Sequence, residues 1–235
     1  MYYLSKVFPH LFYLSVYMNV DRLVLLLVIF MLFTSVEAQD NSLISYTSDP
    51  SFELVKSNDG IHLYERWIVL DNNTPARELR VNCTSNITTL SKALEQLRKS
   101  EDLLEWNKGA KKATNLHKSS DSWIGHIIYD IPWPFSDQDC VLEYTIEEFS
   151  ETSIIVSFFN ISSHHFPEDE DITRMPYVVG KWVFSHSSKG VNIEFYITTQ
   201  PSGLLPRWVS DPIVRNNLIS TIKSYNEILE KNSAD

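Results

Sequence analysis

Residues 132–139, Pro132-Trp133-Pro134-Phe135-Ser136-Asp137-Gln138-Asp139, decide how this chain folds. They lie between residues 122–131 and 140–149, two runs whose β-branched and aromatic content predicts strands, so they have to reverse the chain. Each proline fixes φ, removes a ladder donor and drives the residue before it towards extended backbone. Trp133 and Phe135 are therefore displayed by a stiff loop. Such a loop is either a plug for the end of the core or a lid over it.

The remainder of the chain narrows that choice. Its 235 residues, 43% hydrophobic and 12% aromatic, suffice for one sizeable core, and one globular domain is expected. Acidic residues outnumber basic ones, 30 to 20, and no basic cluster is longer than Lys111-Lys112, so nucleic acid is not an expected partner. The two cysteines, Cys83 and Cys140, fall in no Cys-x-x-Cys or Cys/His grouping, which indicates neither a zinc site nor a dense disulfide framework.

At the N-terminus, residues 23–33 are uninterruptedly apolar, with Arg22 before them and small residues at Ser35 and Ala38 after them. This predicts a signal peptide over residues 1–38, cleaved after Ala38, and a secreted or periplasmic mature protein beginning at Gln39. The segment is short for a spanning helix, which needs about 20 residues, although an uncleaved anchor is the alternative and Met18 a second candidate start. Removing residues 1–38 takes away two basic and two acidic residues, so the charge stays at −10.

Residues 39–51 read as a polar lead-in. The runs 52–56, 61–68 and 76–84 are strand-like, the first two joined by Asp59-Gly60, a hairpin signal. Leu90, Leu94 and Leu97 then recur at helical spacing with Thr89 placed to cap them, and Leu103, Leu104 and Trp106 continue into a second short helix after a break near Ser100. Strands resume over 110–118, 122–131, 139–149, 153–161, 178–186 and 190–199, about nine in all. Val191, Ile193, Phe195 and Ile197 alternate with polar residues, as do Leu142, Tyr144 and Ile146. A curved antiparallel sheet with one buried concave face follows. Only residues 206–231 are long enough to cover it, with Trp208, Val209, Ile213, Leu218, Ile219, Ile222, Tyr225 and Leu229 forming a broad apolar stripe. Pro212 should kink this helix or mark its true start.

This pattern resembles the START (StAR-related lipid transfer) domain of the helix-grip superfamily, an α+β fold in which a curved antiparallel sheet wraps a long C-terminal helix, with two short helices between strands 3 and 4. The motifs are Asp59-Gly60-Ile61 with Tyr64 and Arg66, the 132–139 stretch, Arg174-Met175-Pro176 with Gly180, Trp182 and Phe184, and Pro201-Ser202-Gly203 with Pro206 and Trp208. They cover about residues 52–231, leaving 232–235 as a tail. Gln138 stands where the resemblance calls for Arg, and loss of that charge would hold the loop more loosely. The resemblance implies a lipid tunnel between sheet and helix and strands for Cys83 and Cys140 that are not neighbours, so the two are expected to stay unpaired.

The residues expected to bind lipid or gate its entry are Trp133, Phe135, Tyr144, Trp182, Phe195, Leu205, Trp208, Val209 and Ile213, the 132–139 loop and the helix entry closing one mouth by contact. The expected partners are one lipid and, transiently, a membrane, for a monomer that needs no cofactor or metal. No nucleophile elbow, His-Glu-x-x-His or phosphate loop occurs, and no catalytic residue is assigned. His164-His165 beside four acidic residues reads as a solvated loop, the adjacent rings pointing apart on extended backbone. Two alternatives stay open. An aromatase or cyclase would draw on His126, Tyr129, Asp130 and Tyr144, and an interaction domain would fill its cavity with some of the 29 aromatic side chains.

Overall fold

The hairpin that opens the fold is set by two residues. Asp59 and Gly60 take φ of 49° and 77°, the left-handed pair of a two-residue turn, and pair β1 (Glu53–Asn58) with β2 (Ile61–Val69). The computed structural model describes residues 51–99, 102–133, 135–200 and 207–234. The expected leader, 1–38, and the lead-in lie outside them, apart from Ser51. β3 (Pro75–Ser85) completes a meander. Then come α1 (Leu90–Arg98) and α2 (Leu103–Trp106). Thr89 is the residue before α1, as expected, but its side chain makes no capping hydrogen bond.

The remaining strands are β4 (Ala110–His117), β5 (Ser122–Tyr129), β6 (Gln138–Phe149), β7 (Ser153–Asn160), β8 (Thr173–Arg174), β9 (Val178–Ser187) and β10 (Gly190–Thr199), and α3 (Arg207–Ala234) closes the chain. The sheet order is β1-β2-β3-β10-β9-β7-β6-β5-β4, antiparallel throughout, with the two-residue β8 lying parallel to the start of β6. That short strand was absent from the expectation of nine, since two residues carry no periodicity. The curved sheet, the paired short helices and the covering C-terminal helix are otherwise those expected of a helix-grip domain.

Inward residues of the central strands meet α1, α2 and α3 in one core. Leu63, Leu79, Val81, Ile154, Val156, Phe184 and Ile193 are fully buried, as are Ile222 and Tyr225 of α3. Gly180 is required by this packing, because a Cβ there would stand 2.1 Å from the Tyr196 carbonyl oxygen and 2.5 Å from the Phe158 ring. Pro212 lies inside α3 and is not its start, the helix beginning five residues earlier at Arg207. Cys83 and Cys140 are buried free thiols on strands that are not neighbours. Burial pushes both up to about 12.

Candidate ligand cavity

Between the concave face of the sheet and the first half of α3 lies a cavity of about 260 Å³. Strand alternation builds its wall. From β6, Gln138, Cys140, Leu142 and Tyr144 face it; from β5, Ile127 and Tyr129; from β9 and β10, Trp182, Phe195 and Ile197. α3 supplies Ile213, Val214, Asn217, Leu218 and Thr221, which recur on one side of the helix. The cavity floor is aromatic. Trp182 lies 4.5 Å from Phe195 and 5.1 Å from Tyr225, ring centre to ring centre, and Trp106 is 5.2 Å from Tyr225.

Polar groups on the wall are mostly uncharged. Asn107 donates from Nδ2 to the Tyr129 hydroxyl at 3.4 Å. Tyr144 stacks on Trp123 at 4.9 Å. Burial raises the phenols of Tyr129 and Tyr144 well above the ordinary tyrosine range, so both stay protonated. Arg77 of β3 and Asp211 of α3 form an ion pair at 2.5 Å, with side chains 8% and 14% exposed. Lys108 and Asp130 border the cavity as exposed residues.

Of the expected site residues, Tyr144, Trp182, Phe195 and Ile213 line the cavity. Trp133 and Trp208 do not, and they are 91% and 75% exposed. Phe135 is half-buried and also off the wall. Leu205 and the Val209 side chain lie outside the described residues. Trp133 is therefore neither a plug in the core nor a lid packed on the helix. The loop meets the cavity through Ile131 and Pro132 instead.

The loop is held by the residues either side of Gln138. Asp137 accepts the Ile131 amide at 3.3 Å and pairs with Lys111, and these contacts hold its carboxyl below the usual range. Asp139 accepts from Arg174 Nε at 2.7 Å and Nη2 at 2.9 Å, and lies 2.8 Å from His126 Nε2. Burial would raise the Asp139 carboxyl, but these partners outweigh it and hold it low. Alternation turns Asp139 outward and Gln138 inward, so the expected loosening of the loop by Gln138 does not follow: its amide faces the cavity.

Two further expectations change. His126 is on the outer face with Asp139, its ring 4.6 Å from Phe166, which leaves Tyr129, Asp130 and Tyr144 as the cavity's candidates for chemistry. His164 and His165 do not point apart; their rings are 3.9 Å from each other, because a bridge between Ser163 and Phe166 makes this segment a turn. Among the described residues no group of three or more His, Cys, Asp or Glu could hold a metal ion, and no helix is long and apolar enough to cross a membrane. What sequence reasoning missed is the polar pairing: the Arg77–Asp211 bridge joins residues 134 positions apart, and no local pattern announces it.

No family model matches the chain. An uncharacterised protein of Pseudomonas aeruginosa is 23% identical over 182 residues, 77% of this chain and 87% of that protein. A STAR-related lipid transfer protein fragment from Xanthomonas axonopodis superposes with a TM-score of 0.66 at 22% identity, covering 76% of this chain and 98% of that one. Human StAR-related lipid transfer protein 5 gives a TM-score of 0.63 at 10% identity, over 77% and 86%. The chain has the START-like helix-grip fold.

Proposed function

We propose that this protein binds a single hydrophobic lipid molecule in the cavity, without chemistry, and exchanges it with a membrane. The observation that carries the reading is the hollow itself: a mostly apolar space between the concave sheet and α3, in a fold whose solved neighbours include lipid transfer proteins. Each methylene buried there contributes about 0.8 kcal/mol, so a modest chain or ring system binds without an ionic anchor. The mostly apolar wall supports binding over catalysis, since the inward phenols are held protonated and the Arg77 and Asp211 charges pair with each other.

Exchange takes place through the mouth bordered by Ile131, Pro132 and the first turns of α3. Trp133 and Trp208, exposed on those two elements, contact the membrane interface, where an amphipathic indole ring is favoured. The protein is exported, an inference that rests on the 23–33 apolar run and the small residues at Ser35 and Ala38, and acts as a monomer. Native mass spectrometry of protein purified from its own host tests the whole reading. A co-purifying lipid on a monomer beginning at Gln39 is expected. Protein that carries no lipid and takes up none from a panel would overturn it, and would favour an interaction domain.

A further inference from the structure

We propose that the cavity selects a compact, uncharged lipid bearing one hydroxyl or carbonyl oxygen, gripped by Gln138 and Tyr129, over fatty carboxylates and two-chain phospholipids. This rests on the lipid-binding reading and names the ligand class for the same site.

Size is the first argument. At about 260 Å³ the hollow falls below the roughly 300–1,000 Å³ typical of ligand pockets, which leaves room for one short chain or small ring system. Two acyl chains and a phosphorylated head do not fit that volume.

Charge is the second. A bound carboxylate or phosphate needs a cation that is not already committed, because burying an unpaired charge is costly. Arg77 is the cation of the inner wall, and Asp211 bonds it at 2.5 Å. Lys108 sits exposed and donates its ammonium to the Glu105 carbonyl at 2.5 Å. An anionic head would have to break the first pair or remain outside.

Polar side chains without a protein partner add a third constraint. Gln138 and Tyr144 are each 9% exposed and line the cavity, and neither side chain has a hydrogen-bond partner among the described residues. Their polar atoms open onto the hollow, where an entering ligand atom displaces water and takes up the bond. Tyr129 adds a third group: it accepts from Asn107, while its own proton has no acceptor among the described residues. Backbone register brings Gln138 and Tyr129 together, since they pair directly across β5 and β6, whereas Tyr144 stands six residues further along the same face of β6, about 20 Å away at the backbone. One hydroxyl donor and one amide recognise a single neutral oxygen, as donor or acceptor, and offer nothing that neutralises an anion.

The test is calorimetric titration of the full chain with 4-phenylbutanol, 4-phenylbutanoate and butylbenzene, together with phosphatidylcholine vesicles. The alcohol should bind at least about tenfold more tightly than the carboxylate. Tyr129→Phe and Gln138→Leu should each weaken the alcohol about five- to tenfold and leave butylbenzene unchanged, because they delete a hydrogen bond and keep the wall. The two variants serve as each other's control should one fold poorly. A carboxylate that binds as tightly as the alcohol, or variants that weaken alcohol and hydrocarbon alike, would overturn the inference and leave lipid binding standing. Uptake of phosphatidylcholine alone would do the same. If none of the four binds, both readings fail together.

Discussion

The two halves of α3 do opposite things with the same sheet. In its second half Ile222, Tyr225 and Leu229 are buried with Trp106, Trp182 and Phe184, and the Tyr225 hydroxyl donates to the Ala93 carbonyl, tying α3 to α1. In its first half Ile213, Val214 and Leu218 are only half-buried because they face the cavity. The fastenings differ accordingly. The dry end adds to its apolar core polar ties such as Glu230, which accepts the Asn86 amide at 2.9 Å, and Asn232, which donates to Gln96 at 3.0 Å, whereas the hollow end depends on Arg77–Asp211 and on Arg215, whose guanidinium donates to Glu65 at 2.9 Å and 3.0 Å. Half-buried side chains around a hollow pack less closely than the aromatic core at the other end, so the first turns of α3 are the part that can move without unfolding the domain.

The largest expected effect sharpens that contrast. Phe184→Ala, at a position with no exposure, should destabilise by about 3–5 kcal/mol in denaturant unfolding. Ile213→Ala, on the cavity wall, should cost no more than about 1 kcal/mol, since its side chain already borders empty space, while weakening ligand binding. Equal losses at the two sites would mean that the hollow is closed and the two halves are alike.

The outer cluster gives the next effect. Asp139→Asn removes the charge that Arg174 grips with two hydrogen bonds and should cost about 2 kcal/mol near pH 7. The pH dependence follows from the lowered folded-state value: the stabilisation is complete above the ordinary carboxylate range, near pH 4, and is lost as pH falls through the folded value. Unfolding free energies from pH 7 to pH 2 should therefore converge for wild type and variant at the acid end. A gap that persists at pH 2 would show that shape, and not charge, is what Asp139 contributes.

Much of the fold was legible because its strands alternate and its turns are marked. Asp59-Gly60 predicts the opening hairpin, the Leu90, Leu94 and Leu97 spacing predicts α1, and the alternation in 191–197 assigns Val191 and Ile193 inward. The cavity was legible only where a residue lies on a patterned strand or helix. Tyr144, Trp182, Phe195 and Ile213 could be placed by parity, while Trp133 could not, because a loop has no period and its rigidity does not say which way an indole points. Gln138 shows the same limit from the other side. Its place between two acids in the motif suggests a loop residue, but β6 already begins there, and parity sends it into the cavity.

The smallest effect on stability is expected at the most exposed aromatic. Trp133 is 91% exposed, so Trp133→Ala should change unfolding free energy by no more than about 0.5 kcal/mol. Its consequence should appear at a membrane, where the indole loses its place at the interface: vesicle co-sedimentation should fall, and transfer of a fluorescent lipid between vesicles should slow, with affinity for a soluble ligand unchanged. Trp208→Ala, 75% exposed on α3, should act in the same direction, and the double variant more strongly than either. Faster transfer by Trp133→Ala would instead mean that the indole folds over the mouth when lipid is bound. In that case the loop works as a gate by contact, and the exposed position belongs to the open state.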